Sequence, residues 1–311
     1  MTAAGIDIGS NTILMVIVEG SAHQIVRVVE DVQSFPRLGQ ALGHQRYLPE
    51  EAVQRSCEVL TQYRTMLQAY PEIPVYAVAT AALREADNRV VVQQRLEAAL
   101  GSPIHVIDGL RESELTFAGV GSLAESPTSL LIDIGGGSTE FVLGHSAEPG
   151  AVPQVVQRWS IPIGAVRLSN MALPEEELRS VIRIALREQL PPHLIEDECD
   201  MIGVAGTAVA AAMLAGGITS YDAGAIEGMV VPAQQLRSLS SMLLACTPQE
   251  LQALPGIESR RADILPAGMT ILDEALRYVG GNGGATSIRI STRGVRYGAA
   301  LLALQALPGT F

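Results

Sequence analysis

Residues Leu130–Gly144 read LLIDIGGGSTEFVLG, an apolar run with an aspartate near its end, three successive glycines, and a second apolar run that resumes at once. A weaker copy, AAGIDIGSNTILMVIVEG, stands near the amino terminus at Ala3–Gly20. In both phrases isoleucines flank the acid, Ile6 and Ile8 around Asp7, Ile132 and Ile134 around Asp133. The period of two that defines a strand therefore puts each aspartate on the face opposite those isoleucines. The stretches after the turns, TILMVIV and TEFVLG, are short, β-branched and aromatic, which predicts a second strand and not a helix. A glycine hairpin of this kind excludes the two common strand–glycine–helix phosphate sites, the dinucleotide fingerprint and the Walker loop.

Glycines placed directly after the acid are expected to take positive φ and to aim successive N–H groups at one anion. An ordinary hairpin would account for the glycines alone. It would not call for the preceding aspartate, nor for the Ser-Asn and Ser-Thr on the far side of the turn. Gly9, Ser10 and Asn11 in the first turn, and Gly135, Gly136, Gly137 and Ser138 in the second, are thus candidate phosphate-binding residues. A third glycine phrase, MIGVAGTAVAAAML at Met201–Leu214, comes after a predicted strand and opens a predicted helix. Its Gly203, Gly206 and Thr207 would let backbone approach the same ligand, with helix N-terminal amides offered to an anion.

Outward from these phrases, strands are predicted at about 3–9, 12–19 and 24–33, followed by alternating helix and strand to about 120. The order restarts with strands near 128–134, 138–144 and 152–159, then helix 174–189, strand 200–205 and helix 206–214. Three strands and then alternation, twice over, describe a duplicated α/β unit. Domains are expected over 1–124 and 125–311, with a hinge at GSLAESPT (121–128) and a surface turn at GGNGG (280–284). The closing helix, about 297–311, is counted in the second domain with the option of packing on the first. Paired phosphate turns from two halves imply a cleft between domains that holds a phosphorylated ligand.

The 311-residue chain is 48% hydrophobic and 17% charged, a balance that fits two well-packed domains and not disorder. A net charge of −12 and 4% aromatic residues argue against a nucleic-acid binder. Every one of the 21 basic residues is arginine, so no lysine can clamp a phosphate or form a Schiff base; anions must be met by arginine, backbone N–H groups or metal. Cys57, Cys199 and Cys246 have no metal-like spacing and read as small buried apolar residues, and the histidines form no HxxxH or HxH pair. No apolar run approaches the ~18 residues of a membrane span, and no basic segment precedes the first one. A cytoplasmic protein with no membrane partner is expected.

The hairpin pair IDIGSN and LIDIGGGSTE, followed by AGT, resembles the actin-like (ribonuclease H-like) phosphotransferase superfamily. Further stretches are similar to the exopolyphosphatase and guanosine pentaphosphate phosphohydrolase family. They are VATAALREADN (78–88), VIDGLRESELTFAGV (106–120), IPIGAVRLSN (161–170), VAGTAVA (204–210), LPGIESRRADILPAGMTIL (254–272) and ISTRGVRYGAALL (290–302). The resemblance covers nearly the whole chain, and the motifs together are far more specific than any one of them.

That resemblance implies hydrolysis of the terminal phosphoryl group of polyphosphate, or of pppGpp, with Mg²⁺ or Mn²⁺. Glu112, in DGLRES, matches the family's essential glutamate of an SGxEEA phrase and would be the general base. Asp108, Arg111 and Ser113 depart from that phrase, which bears on substrate preference. Asp133 and Glu140, with Asp7 from the first turn, match acids proposed to hold the metal. Arg84 matches an arginine thought to contact the polyphosphate, and Arg37, Arg167 and Arg293 are further candidates for that contact. Read without the resemblance, a helix-start glutamate at Glu112 and a turn-capping aspartate at Asp7 are the competing readings. The chain's extent favours short or medium polyphosphate, and a homodimer is the expected assembly. Two other classes compete: an actin-like kinase, which would lack a glutamate placed like Glu112, and a noncatalytic nucleotide sensor, against which Glu112, Asp133 and Glu140 together speak.

Overall fold

The first glycine phrase forms β1 (Thr2–Ile8) and β2 (Ile13–Gly20), an antiparallel pair in which Asp7 stands opposite Leu14 and Ile8 opposite Ile13. The second forms β6 (Thr128–Ile134) and β7 (Thr139–His145) in the same register, Asp133 opposite Glu140 and Ile134 opposite Thr139. Both are hairpins, as the β-branched residues after each turn require. This computed structural model describes residues 1–22, 24–40, 46–120, 123, 126–145, 154–192, 194, 199–257, 261–280 and 286–306. Half of the expected hinge, the GGNGG turn beyond Gly280 and the last residues of the closing helix lie outside the described residues.

The chain divides into two units, Met1–Ser122 with Gly294–Phe311, and Leu123–Pro149 with Pro153–Arg293. In the first, β3 (Ile25–Ser34), α1 (Glu50–Leu67), β4 (Val75–Ala79), α2 (Ala81–Glu85), α3 (Arg89–Leu100), β5 (Ile104–Val106) and α4 (Gly109–Val120) come after the hairpin. The sheet order is β3-β2-β1-β4-β5, with β4 and β5 parallel to β1. Two helices, α2 and α3, stand between β4 and β5. Ala86 is extended, and the Asn88 side chain holds both the N–H and the carbonyl of Leu48, at 3.0 and 3.1 Å.

The second unit continues from its hairpin through β8 (Gln154–Ile161), α5 (Ala165–Ser169), α6 (Glu175–Gln189), β9 (Cys199–Val204), α7 (Ala205–Gly216), α8 (Ala223–Ile226), β10 (Val230–Pro232), α9 (Ala233–Ala245), α10 (Pro248–Gln252), α11 (Leu265–Val279) and β11 (Ser287–Ile290). Its sheet, β10-β11-β9-β6-β7-β8, repeats the first and adds β10 at one edge. Together they make the duplicated α/β, actin-like architecture. Among the described residues no helix is long and apolar enough to cross a membrane.

One face of β1 buries Ala4, Ile6 and Ile8 in the core of the first unit, with Leu60, Leu83 and Leu96. The other face is covered by α12 (Val295–Gln305), through Ala3, Tyr297, Ala300 and Leu304. The two backbones run so close that a Cβ on Gly5 would overlap the carbonyl of Arg296. Likewise, a Cβ on Gly298 would overlap the Leu115 carbonyl of α4. Glycine in a strand marks such an approach of another backbone. Asp7 shares the α12 face, opposite the isoleucines, as the strand period dictates. In the second unit Arg179, Asp273 and Glu274 form a buried ionic cluster at 2.8–2.9 Å that ties α6 to α11.

Candidate active site

In the first unit the ends of β1, β4 and β5 are level: Thr80 N donates to Ile8 O at 3.2 Å and Ile107 N to Ala79 O at 3.0 Å. From the end of β4, α2 supplies Arg84; from the end of β5, α4 supplies Glu112 in its first turn. Arg84 Nη1 donates to Ile107 O at 2.9 Å and to Glu112 Oε2 at 3.3 Å, so one guanidinium holds both the approach to α4 and its carboxylate. Asp108 caps α4 by accepting from Arg111 N at 2.8 Å, while the Arg111 side chain pairs with Glu114 at 2.7 Å.

Beside Glu112 lies Asp7, whose Oδ1 is enclosed and meets no hydrogen-bond donor. Desolvation, and then the negative charge of Glu112, raise its pKa to about 7, against the opposing pull of Arg296. Arg296 is itself clamped by Asp31 at 2.8 and 2.9 Å, and the Tyr297 hydroxyl donates to the same carboxylate at 2.8 Å. The structure thus gathers Asp7, Arg84 and Glu112 at the end of the sheet that carries the turn Gly9–Asn11.

Both turns close alike, Gly9 N donating to Thr12 O and Gly135 N to Ser138 O, each at 2.9 Å. The expectation of positive φ at their glycines is corrected: among the described residues Gly9, Gly135, Gly136 and Gly137 are all outside the left-handed region. Room is tight at Gly136, and it is Gly164, outside the turn, that must be glycine for lack of it. A Cβ on Gly136 would sit 3.2 Å from Val166 Cγ2, and one on Gly164 would sit 2.5 Å from backbone atoms of Gly136 and Gly137.

In the second turn Ser138 Oγ donates to Glu140 Oε1 at 2.5 Å and Ser160 Oγ to the same oxygen at 3.0 Å. Thr139 Oγ1 donates to Ile163 O at 2.6 Å. Asp133 and Glu140, directly opposite in the ladder, form a carboxylate pair beside the turn. Asp133 is also level with Val204 in the parallel ladder, so the AGT phrase begins next to it. There the strained residue is Ala205, at φ 63°, and not its glycine neighbour. The Arg261 guanidinium occupies the place a Cβ on Gly206 would take, and buried Thr207 has its Oγ1 2.7 Å from a Cβ position on Gly268. Arg261 had no predicted role, although it lies in a stretch that carries the family resemblance. Of the other arginines, Arg293 pairs with Glu227 at 3.1 Å, Arg167 holds Gly137 O at 2.9 Å, and Arg37 has an exposed side chain on left-handed backbone. The three cysteines are half-buried, less enclosed than expected, and burial raises the Cys199 thiol to about 12.

A repeated α/β unit that places an acid-bearing glycine hairpin at the end of each sheet defines an actin-like phosphate-handling enzyme. Residues 16–305 match the Ppx/GppA phosphatase family, and the chain belongs to it: a hydrolase of phosphoric anhydrides. It is 33% identical over 320 aligned positions to Exopolyphosphatase 2 of Mycobacterium tuberculosis, covering 96% of this chain and 97% of that one. The Aquifex aeolicus PPX-GPPA enzyme superposes with a TM-score of 0.83 at 25% identity, over 97% of this chain and 99% of the other. An exopolyphosphatase from Cytophaga hutchinsonii shares the fold, with a TM-score of 0.79 at 24% identity over 99% of each chain.

Proposed function

We propose that this phosphatase is an exopolyphosphatase, releasing the terminal phosphate of inorganic polyphosphate by in-line attack of water with Glu112 as general base. The observation that carries the reading is the placement of Glu112: a carboxylate at the start of α4, fixed by Arg84 and set beside Asp7 at the end of the strand that leads into the first phosphate turn. The name of the M. tuberculosis relative supports polyphosphate as the substrate.

Backbone N–H groups of each turn are phosphate ligands, and Glu112 aligns water and takes its proton as the terminal P–O bond to the leaving chain breaks. Positioning and charge neutralisation dominate such a reaction. The donor set fits Mg²⁺ or Mn²⁺, which take hard oxygen ligands and accept few from protein when phosphates supply the others. Asp133 and Glu140, opposite each other across the β6–β7 ladder, would hold the ion. When bound it would neutralise charge on the phosphates.

The test is phosphate release from polyphosphates of defined length, from pppGpp and from ATP, with and without Mg²⁺, by the parent and Glu112→Gln. Release from polyphosphate that needs Mg²⁺ and is lost in the variant is expected. Preference for pppGpp would replace the substrate, and full activity in the variant would remove the base.

A further inference from the structure

Laying Asp7 on Asp133 aligns Ser10 with Gly136 and Asn11 with Gly137, and the carbonyls at these positions share one fate in the two units. In the first turn Ser10 O accepts from Gly39 N at 2.8 Å and Asn11 O from Arg37 N at 3.1 Å. In the second, Gly136 O accepts from Arg167 N at 3.0 Å and Gly137 O from Arg167 Nε at 2.9 Å, while Ala165 N takes Gly135 O at 2.9 Å. Both sets of donors lie on the segment that leaves the third strand of the unit, past Ser34 of β3 and past Ile161 of β8. Their chemistry is otherwise unrelated: an irregular loop in one, a one-turn helix and a guanidinium in the other.

A trans peptide points the carbonyl of one residue and the N–H of the next in opposite directions. Tying down the carbonyls of Ser10 and Asn11 therefore turns the N–H groups of Asn11 and Thr12 to the other side. The same constraint turns those of Gly136, Gly137 and Ser138. Successive N–H groups so aligned form an anion-binding concavity without left-handed glycine. The first loop holds its shape at a cost: Arg37 sits at φ 55°, which L-residues avoid. Fully buried Leu38 and the Arg55 Nε donor to Pro36 O, at 3.0 Å, anchor it on either side.

We infer that these exit segments set the direction of the phosphate-binding amides, and that Arg37, through its backbone, and Arg167, through backbone and Nε, are positioning residues for the reaction. The inference rests on the reading of the turns as phosphate ligands. It assigns to both arginines a role different from direct contact with the polyphosphate chain.

Glutamine carries Nε2 at the same number of bonds from Cα as arginine Nε, so Arg167→Gln keeps a donor for Gly137 O and removes the charge; Arg167→Leu removes both. Arg37→Gly accepts the left-handed backbone, whereas Arg37→Val resists it. For the folded variants, kcat and KM are measured on short and long polyphosphate with Mg²⁺, and tripolyphosphate binding is measured by calorimetry. We expect Arg167→Leu to lose roughly 10- to 100-fold in kcat at both chain lengths and Arg167→Gln to recover most of it, with Arg37→Val worse than Arg37→Gly. If Gln falls as far as Leu and KM rises with chain length, Arg167 is a charge contact and its positioning role is overturned. An Arg37→Gly variant as impaired as Arg37→Val overturns the role of Arg37. A parent that binds tripolyphosphate but releases nothing from polyphosphate defeats the proposed activity alone. The same ranking in binding would then still support the inference, and equal binding by all variants would overturn it.

Discussion

The two glycine hairpins have one backbone and two chemistries. Their registers match residue for residue, their turns close through the same hydrogen bond, and the corresponding carbonyls are tied down. The residue across the ladder from the aspartate differs. Asp7 faces Leu14 and lies near the partly exposed Glu112 with one carboxylate oxygen enclosed, whereas Asp133 faces Glu140, which two serine hydroxyls also reach. One turn thus carries a lone acid held near neutrality beside a candidate base. The other carries an acid pair suited to a divalent ion. Under the proposed function the repeated unit supplies a candidate phosphate-binding turn twice, and a single cross-strand position, leucine in one and glutamate in the other, distinguishes the copies.

The largest effect should come from Glu112, because no corresponding acid of the second unit is assigned its task. Glu112→Gln keeps the size and a hydrogen-bond acceptor for Arg84 but cannot take a proton. Loss of a general base predicts a fall in kcat of roughly 10²- to 10⁴-fold, with substrate binding little changed. Steady-state phosphate release combined with calorimetric binding checks both halves of that statement. A matching loss of affinity would make Glu112 a binding residue and erase the asymmetry between the turns.

Next in size is the proton linkage of Asp7. Its folded pKa, about 7, lies above the unfolded value of 3.8, so the folded chain binds the extra proton between those values. Stability from this group is therefore complete below about pH 4 and is lost as pH rises through 7. Asp7→Asn removes the dependence. In metal-free buffer the variant should match the parent near pH 4 and exceed it at pH 8, by at most about 4 kcal/mol. Denaturation midpoints of the two proteins across pH give the difference directly. A flat difference would mean that Asp7 is hydrated like any surface acid.

Much of this comparison was legible in the sequence. Alternation of Ile6, Asp7 and Ile8, and of Ile132, Asp133 and Ile134, fixes which face each acid takes, and the β-branched residues after the glycines make the hairpins. Glu112 was visible through family resemblance, since a glutamate at a helix start is otherwise unremarked. The Arg84–Glu112 contact was not legible, because α3 and β5 separate the two in the chain and only the level ends of β4 and β5 bring them together. Nor was the reason for the glycines, which depends on what the turn carbonyls meet from the segments beyond β3 and β8. Propensity also points to the wrong residue where a bulkier neighbour is forced left-handed, as with Ala205 beside Gly206 and Arg37 near Gly39. The return of α12 to the first unit, an option the sequence left open, is marked by Gly5, Gly119 and Gly298, small residues whose purpose appears once another backbone crosses them.

The finest test of the asymmetry concerns metal. If Asp133 and Glu140 are the pair that holds a divalent ion, Glu140→Gln removes one charged ligand and leaves the ladder, the turn and the Ser160 contact able to form. The apparent Mg²⁺ constant for phosphate release should rise by roughly tenfold, the scale of about 1.4 kcal/mol for one weakened ligand, and saturating Mg²⁺ should restore much of the rate. The reciprocal change, Leu14→Glu, would give the first turn the cross-strand acid of the second. Placed beside Asp7 and Glu112, a third carboxylate adds like charge to a desolvated corner, so this variant should lose stability as pH rises and should not acquire tighter Mg²⁺ dependence. Calorimetric Mg²⁺ titration of the parent and both variants separates the cases. Equal Mg²⁺ affinity in the parent and Glu140→Gln would place the ion elsewhere and leave the two turns chemically closer than their cross-strand partners suggest.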